Sequence, residues 1–362
     1  MSEAAVERIA VNGPPHESVA WVGSGLLADA ARYLHSPSGR FVLVGPKAAE
    51  SSGLAPIRRA LGSRLLCEVS FDDAEDAKTL TSVELIADAA IGAGIKRDDA
   101  LVAVGGGVAT DVGGFAAAIL LRGVAWNAVP TTTAGMADAA IGGKTGVNHR
   151  LGKNLLGAFH PPAVILVDPA ALATLPERDY RAGLVEAYKD AWIGDAPLAA
   201  RAAARLPEIL RRETAPLLDL LAGSVRVKAS IVGSDPTESG ARRLLNLGHT
   251  LGHALEAASG FGGLRHGEAV AWGIAATLEI SRRRAGLSDA DAAAVRSVLA
   301  GLGPFPEPVR DPRRLRGFLS RDKKATARGL ASVLLPRIGE ARVDETVPES
   351  DWLEAAAIMS LS

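Results

Sequence analysis

Short apolar runs alternate with amphipathic segments in the first half of the chain. The runs 41–45, 101–105 and 163–167 are apolar at nearly every position and end at or just before glycine or proline, as buried parallel strands do. Between the first two, apolar residues recur at helical spacing over 82–94, with Ser82 as the expected N-cap. Strands that alternate with helices predict an open α/β sheet, which binds ligands at the carboxyl ends of its strands.

The pattern changes in the second half. Helical spacing of Ala, Leu, Arg and Glu dominates 177–302, which predicts a second, mainly helical domain. The join is expected within 172–179, where Pro176 interrupts the pattern. We therefore predict an α/β domain over 1–174 and a helical domain over 175–362.

The last part of the chain carries two weaker patterns. The run 330–335 predicts a short strand, and the Pro- and Arg-rich stretch 303–316 predicts an ordered connection.

Composition excludes several classes of protein. Hydrophobic residues make up 48% and charged residues 22%, with a formal net charge of -1, which argues against non-specific binding to nucleic acid. The one cysteine, Cys67, excludes an internal disulfide framework and a multi-cysteine zinc site. No apolar run reaches the roughly 18 residues of a membrane-spanning helix. Glu3, Glu7 and Arg8 do not suit a secretory signal, so we expect a cytoplasmic enzyme without a membrane partner.

A glycine-rich turn follows the second apolar run. Gly105-Gly-Gly-Val-Ala-Thr-Asp111 leads into an apolar helix expected over 112–120. Glycines at a strand-to-helix turn let a phosphate approach backbone N–H groups at the helix N-terminus. The spacing is not G-x-G-x-x-G, and tight packing explains many glycine triplets equally well. Pro130-Thr-Thr-Thr133, after the strand-like 124–129, offers a second turn at the same sheet edge.

Residues that suit a metal ion gather in the second half. Glu186 and Lys189 are three apart on one helical face, His249 and His253 are four apart, and His266 lies at an expected helix start. Imidazoles with a carboxylate are the usual ligands of a catalytic zinc ion. The spacing leaves open which histidines bind metal, and also whether the histidine pair is simply hydrogen-bonded in a core. The absence of H-E-x-x-H argues against a zinc protease.

A third candidate group lies in a glycine-rich stretch that contains Asp138, Lys144, Lys153 and Asn154. Gly-Gly-Lys-Thr is similar to the end of a phosphate-binding loop, but that motif needs glycine where Asp138 stands, so a P-loop NTPase is excluded. Lysines near glycine turns suit phosphate or carboxylate, although exposed lysines are usually just solvated.

Taken in order, these motifs resemble the 3-dehydroquinate synthases of the sugar phosphate cyclase family over nearly the whole chain. The segments that carry the resemblance are 105–108 with Asp111, 121–124, 130–132, 138–146, 152–155, Glu186 with Lys189, 244–253, 266–268 and 322–324. One such motif is weak, whereas this ordered set is highly specific.

The resemblance implies an N-terminal Rossmann-like NAD-binding α/β domain followed by a mainly helical metal-binding domain, with the active site between them. It implies conversion of 3-deoxy-D-arabino-heptulosonate 7-phosphate (DAHP) to 3-dehydroquinate and phosphate, a step of the shikimate pathway of aromatic amino acid biosynthesis. The implied chemistry is transient oxidation by NAD, β-elimination of phosphate, re-reduction and intramolecular aldol closure, with zinc or cobalt as Lewis acid. The implied assembly is a homodimer.

The resemblance also implies a role for individual residues. The metal ligands would be Glu186, His249 and His266. His253, Lys144, Asn154, Asn246 and Lys323 or Lys324 would bind the substrate phosphate with Arg122 at its border, Lys228 and Arg242 would hold the carboxylate, and Asp138 and Lys189 would face the reacting carbons. Within this set, the residues expected to serve catalysis are Asp138, Lys144, Lys189, Lys228, Arg242, Asn246 and His253. The residues expected at NAD are Glu75, Lys78, Gly106, Gly107, Asp111, Thr131, Thr132, Asp138, Lys144 and Lys153.

One departure concerns the cofactor. The family often carries an acidic residue after the first NAD-binding strand, where this chain has Gly45.

Three other functions compete with this interpretation. An aminodehydroquinate synthase would use an amino analogue of DAHP in a nearly identical pocket. A metal-dependent alcohol dehydrogenase would accumulate NADH, and a degenerate homologue would act as a binding protein. Retention of Lys228 and Arg242 argues against cyclases whose substrates have no carboxylate.

Overall fold

The chain folds into two compact units. The structure, a computed structural model, describes residues 6–11, 17–260, 263–319, 325–326 and 329–361. One unit comprises Met1–Tyr180 with Lys228–Thr237, and the other comprises Arg181–Val227 with Glu238–Ser362. The domain boundary expected between residues 174 and 175 stays a prediction.

The first unit is built on a seven-stranded sheet of order β1-β2-β9-β6-β5-β3-β4. Its first pair is antiparallel and the other pairs are parallel. The strands of this unit are β1 Glu7–Val11, β2 Ser18–Val22, β3 Phe41–Pro46, β4 Leu65–Phe71, β5 Ala100–Gly105, β6 Ala125–Pro130, β7 Lys144–His149, β8 Gly152–Phe159 and β9 Val164–Val167. Every residue of β3, β5 and β9 is buried, which confirms the three strands predicted from apolar runs.

Helices connect these strands, and two begin earlier than their sequence patterns indicate. The helices are α1 Ala55–Leu61, α2 Leu80–Gly92 and α3 Gly107–Ile119. The expected N-cap Ser82 is wrong, because Thr79 caps α2 by accepting a hydrogen bond from the Ser82 N–H at 3.2 Å. Helix α3 starts directly after Gly106, so Gly105 ends β5, Gly106 is the N-cap and Gly107 is the first helical residue.

The glycine-rich stretch around Lys144 forms an antiparallel hairpin, β7 with β8, and no sequence pattern indicated it. Gly146 and Gly157 face each other across the pair. A Cβ atom on Gly157 would lie 2.2 Å from Thr145 O, and one on Gly146 would lie 2.5 Å from Leu156 O. Glycine is needed here because the two backbones approach closely.

The second unit is mainly helical, as predicted. Its helices are α4 Glu177–Gly194, α5 Ala196–Ala204, α6 Leu206–Leu210, α7 Thr214–Ser234, α8 His249–Ala258, α9 His266–Arg284, α10 Asp289–Leu302, α11 Pro312–Leu319 and α12 Glu349–Ile358, of which α4 begins and α7 ends in the first unit. Strands β10 Ala325–Thr326, β11 Gly329–Arg337 and β12 Glu340–Val347 form a small sheet, which confirms the strand predicted over 330–335. Helix α11 begins inside the stretch expected to be a connection, because Pro312 is tolerated in a first helical turn.

A hydrophobic core joins these elements. Trp272 of α9, Leu315 of α11, Leu334 of β11 and Trp352 of α12 are all buried in it. Within the described part of the chain, no helix has the length and apolar character needed to cross a membrane.

Helices α8 and α9 pack against each other through small residues. A Cβ atom on Gly273 of α9 would lie 1.9 Å from the carbonyl oxygen of Gly248, the residue before α8. Gly248 itself has φ +77°, and a Cβ there would lie 2.5 Å from Ile274 Cγ1. Because no side chain separates the two backbones, the histidines at the starts of α8 and α9 are brought close together.

We expect Gly273→Ala to lower the free energy of unfolding by about 1–3 kcal/mol, because the added methyl group overpacks the contact with Gly248. Gly317→Ala is the matched control, since a Cβ there meets nothing within 4 Å, and it should stabilise by roughly 0.5–1 kcal/mol. Urea denaturation followed by circular dichroism measures both. Equal stability of the two variants would contradict the close packing of α8 and α9.

Candidate active site

Glu186 and His266 are brought together by the contact between α4 and the start of α9. A Cβ atom on Gly267 would lie 1.8 Å from Ala182 O, so only glycine lets the two backbones touch. Glu268 fixes the helix start by accepting a hydrogen bond from the Arg265 N–H at 2.7 Å.

Three side chains of the second unit converge on one point. Glu186, His249 and His266 each offer a ligand atom, and these atoms lie within 4.8 Å of one another. Glu186 Oε1 is buried, lies 3.7 Å from His266 Nε2 and accepts no hydrogen bond from any residue that the structure describes. A buried carboxylate oxygen beside two imidazoles fits a zinc or cobalt ion. The structure therefore brings together the three side chains expected to bind metal.

Lys189 contacts the other oxygen of the Glu186 carboxylate. Its ammonium, 1% exposed, donates to Glu186 Oε2 at 2.5 Å and lies 4.0 Å from Asp190 Oδ1. Ser224 on α7 donates to Asp190 Oδ2 at 2.7 Å. Lys189 is thus held between two buried carboxylates of α4, and the sequence pattern had drawn attention to only one of them.

His253, the third histidine expected near the site, belongs to a second group of potential metal ligands. His253 is exposed, and with Glu256 and His266 it forms a set whose ligand atoms also lie within 4.8 Å of one another. No sequence motif indicated Glu256, although it stands seven positions after His249, on the same face of α8.

Two expected substrate residues lie in the turn before α8. Arg242 is buried, with 3% of its surface exposed. The Asn246 amide donates to Glu238 Oε1 at 2.8 Å and to Arg243 O at 3.2 Å. Lys323 and Lys324 lie outside the described residues.

In the first unit, Lys78 connects two residues that are distant in sequence. Its ammonium, on a side chain 5% exposed, donates to Asp111 Oδ2 at 2.6 Å and to Asn154 Oδ1 at 2.5 Å. Burial raises the pKa of Asp111 to about 6; the Lys78 ammonium opposes that change, and the Glu75 and Asp138 carboxylates add to it. The structure thus groups Asn154, expected at the substrate phosphate, with residues expected at NAD.

Hydrogen bonds along the hairpin link this group to Glu75. Asn148 of β7 donates to Glu75 Oε1 at 2.9 Å, and its own Oδ1 accepts from the Asn154 N–H at 2.9 Å. Lys153 Nζ lies 4.0 Å from the same Glu75 oxygen. Lys144, at the start of β7, is exposed.

Lys228, at 3% exposure, donates to both the backbone oxygen and the carboxylate of Asp138. An ammonium can donate three hydrogen bonds, so these two orient it.

Arg122, expected at the border of the substrate phosphate, adopts a left-handed backbone with φ +70°.

The glycine-rich turn and the threonine turn lie at neighbouring strand ends, after β5 and β6. The Thr131 N–H donates to Gly105 O at 2.9 Å, and Thr132 Oγ1 accepts from the Gly135 N–H at 3.0 Å. A Cβ atom on Gly106 would lie 3.1 Å from Thr132 Cγ2. Gly107 opens α3, so backbone N–H groups of its first turn are available to a phosphate.

Gly45 has a steric explanation. A Cβ atom there would lie 2.3 Å from Val104 O on the neighbouring strand β5. No acidic side chain can therefore occupy this position without displacing β5.

Comparison with known proteins agrees with the architecture. Residues 68–182 match the family model described as 3-dehydroquinate synthase N-terminal, and residues 183–325 match the one described as 3-dehydroquinate synthase C-terminal. A 3-dehydroquinate synthase of Solibacter usitatus is 39% identical over 337 residues, covering 92% of this chain and 94% of the relative.

Two solved structures are similar along almost their full length. A 2-epi-5-epi-valiolone synthase from Streptomyces hygroscopicus, with NAD+ and Zn2+ bound, has a TM-score of 0.84 and 29% identity, covering 96% of this chain and 97% of that one. A 2-deoxy-scyllo-inosose synthase complexed with carbaglucose-6-phosphate, NAD+ and Co2+ has a TM-score of 0.83 and 25% identity, covering 98% and 100%. These full-length similarities place the chain in the class of sugar phosphate cyclases. Within that class, the chain belongs to the 3-dehydroquinate synthase family.

The raised pKa of Asp111 predicts a pH dependence of stability. Because its folded-state pKa of about 6 exceeds the ordinary value near 3.9, its contribution is complete below about pH 4 and is lost as the pH rises to about 6. We expect Asp111→Asn to gain stability relative to the unmodified chain over this interval, by roughly 1–3 kcal/mol. Urea denaturation at pH 4, 5, 6 and 7 measures the difference, with the exposed Asp88→Asn as control. A difference that is constant with pH would contradict the raised pKa.

Proposed function

We propose that the chain converts DAHP to 3-dehydroquinate and phosphate, with NAD and a divalent metal ion as its cofactors. The observation that carries the proposal is the convergence of Glu186, His249 and His266, with Lys189 bonded to the same carboxylate. The curated relatives that match most of the chain are named for this activity. A homodimer remains the expected assembly.

The metal ion would be held by Glu186 Oε1 and by one nitrogen from each of His249 and His266. When bound, the ion supplies Lewis-acid polarisation of a substrate oxygen, and NAD supplies a hydride acceptor that is restored by the end of the turnover. Lys189 donates to the other oxygen of Glu186, so that carboxylate is oriented before any substrate arrives. The Lys189 ammonium therefore lies beside the proposed metal ligands, and we propose that it faces the reacting carbons of the substrate.

The substrate's two anionic groups call for separate cations. We assign the carboxylate to Arg242 and Lys228. We assign the phosphate to Lys144, Asn154, Asn246, His253 and Lys323 or Lys324, with Arg122 at its border. Arg242 is buried and presents a planar fork suited to a carboxylate. Asp138 orients Lys228 through two hydrogen bonds, which supports a fixed rather than a mobile cation.

We assign NAD to the first unit. The glycine-rich turn would hold its pyrophosphate at Gly106 and Gly107, at the start of α3. Glu75, Lys78 and Asp111 would bind its polar groups, together with Thr131, Thr132, Asp138, Lys144 and Lys153. Since Asn154 accepts a hydrogen bond from Lys78, it would connect the cofactor residues with those of the substrate phosphate.

The proposal is tested by following phosphate release from DAHP with purified protein, NAD and Zn2+ or Co2+. We expect one phosphate for each 3-dehydroquinate, no net NADH, and loss of activity after chelation that added metal restores. AminoDAHP is assayed in parallel. Turnover of aminoDAHP alone would favour the sister cyclase, NADH formed with each turnover would favour a dehydrogenase, and failure to bind NAD at millimolar concentration would favour a binding protein.

Two variants separate substrate recognition from metal binding. Arg242→Ala should raise the KM for DAHP by roughly 10- to 100-fold with bound metal unchanged, because a charged hydrogen-bond partner is lost. His266→Ala should lose the metal ion and with it most of kcat. Arg243→Ala is the matched control, since Arg243 is the adjacent residue and pairs with the exposed Glu345. Normal activity of metal-replete His266→Ala would contradict the ligand assignment.

A further inference from the structure

Each of the two imidazoles proposed to bind metal has its Nδ1 atom engaged by an oxygen atom. His249 Nδ1 lies 3.1 Å from Leu247 O, and His266 Nδ1 lies 3.0 Å from Glu256 Oε2. A carbonyl oxygen and an ionised carboxylate can only accept, so Nδ1 carries the proton in both rings. In a neutral imidazole this leaves Nε2 with a lone pair, which is the form that binds a metal ion.

The two rings are held in different ways. His249 is buried, with 7% of its surface exposed, and its acceptor is a backbone atom two residues away. The His266 side chain is 40% exposed, it stands at the first position of α9, and its acceptor is a side chain of α8. The orientation of His266 therefore depends more on one side-chain contact than that of His249 does.

Glu256 is well placed to provide that contact. Its side chain is 14% exposed, less than the ring that it holds. With Nδ1 turned towards Glu256, the opposite nitrogen Nε2 lies 3.7 Å from Glu186 Oε1. One ring thus lies between two carboxylates, each facing a different nitrogen.

We propose that Glu256 is a positioning residue for the metal site: it accepts the Nδ1–H of His266 and thereby holds Nε2 towards Glu186. This inference rests on the proposed assignment of Glu186, His249 and His266 as metal ligands. A carboxylate behind a metal-bound imidazole fixes the tautomer and raises the basicity of the ligand, and removing such a partner weakens metal binding by about 10- to 100-fold.

Glu256 also belongs to the second set of potential ligands, with His253 and His266. Two observations favour a positioning role over direct ligation. Glu186 in the first set is 1% exposed and has an oxygen that no described residue satisfies, whereas His253 in the second set is exposed. A metal ion would therefore compensate the unsatisfied buried oxygen of Glu186 in the first set.

The test is the dissociation constant of Co2+, measured by competition with a chromophoric chelator, for the unmodified chain, Glu256→Gln and Glu256→Ala. Glutamine retains an acceptor but not the charge, so we expect about 10-fold weaker binding, and up to about 100-fold for alanine. The visible spectrum of bound Co2+ should indicate the same number of metal ligands in the unmodified chain and in both variants. Saturating Co2+ should restore most of the turnover. The affinity for NAD should not change.

Glu354→Gln is the matched control, because Glu354 is an exposed carboxylate of the same unit that pairs with Arg283. Melting temperatures show whether each variant folds, and Glu256→Gln, the isosteric change, suffices if alanine does not fold. Unchanged Co2+ affinity in Glu256→Gln would overturn the proposal. A changed ligand number, with a loss of affinity equal to that of Glu186→Gln, would make Glu256 a ligand instead and overturn it as well.

Failure of the proposed ligand set gives a different result. If Glu186→Gln retains full Co2+ affinity while His253→Asn loses it, the ion binds in the second set, and the assignment under the proposed function is wrong. Loss in Glu186→Gln, with no loss in Glu256→Gln, would leave that assignment intact and contradict only the role of Glu256.

Discussion

The candidate metal site of the second unit depends on the burial of one carboxylate, that of Glu186. Transfer of an ionised carboxylate from water into a protein interior costs several kcal/mol unless neighbouring groups compensate its charge. Lys189 neutralises one oxygen, but Asp190 brings a second buried carboxylate next to the same ammonium. Glu186 Oε1 accepts no hydrogen bond from any described residue. A divalent cation between this oxygen and the imidazoles would compensate its burial.

Backbone contacts, more than side-chain packing, bring the cation's ligands together. Gly267 touches the backbone of α4 at Ala182, and Gly273 touches the carbonyl of Gly248 before α8. A Cβ atom would lie 1.8 Å from Ala182 O at Gly267 and 1.9 Å from Gly248 O at Gly273, so the helices would have to separate. Metal–ligand distances tolerate a change of only about 0.2 Å, so a separated ligand set binds metal poorly. The glycines near His249 and His266 therefore determine the site as much as the histidines do.

The sequence predicts much of the fold because its strongest signals are local. The strands β3, β5 and β9 are continuous apolar runs, and burial on both faces of a parallel sheet demands that pattern. The hairpin β7–β8 escaped prediction because its glycines, needed for close backbone approach, resemble a loop. Helix α11 escaped because it is only eight residues long and its proline and arginines suggested a connection, although Leu315 and Leu319 do follow helical spacing.

The candidate site likewise combines residues that local patterns indicate with contacts that they do not. Helical spacing places His249, His253 and Glu256 on one face of α8, but which of them meets α4 or α9 is decided by packing between helices. Lys78 and Asn154 are 76 residues apart, so no local pattern connects them. Family resemblance supplied expected roles where spacing left them open, but it gave none to Glu256, because a residue that acts through another's imidazole leaves no motif of its own. Only the three-dimensional contacts identify such a residue. Glu256 Oε2 lies 3.0 Å from His266 Nδ1, and this contact constrains what His266 Nε2 can bind.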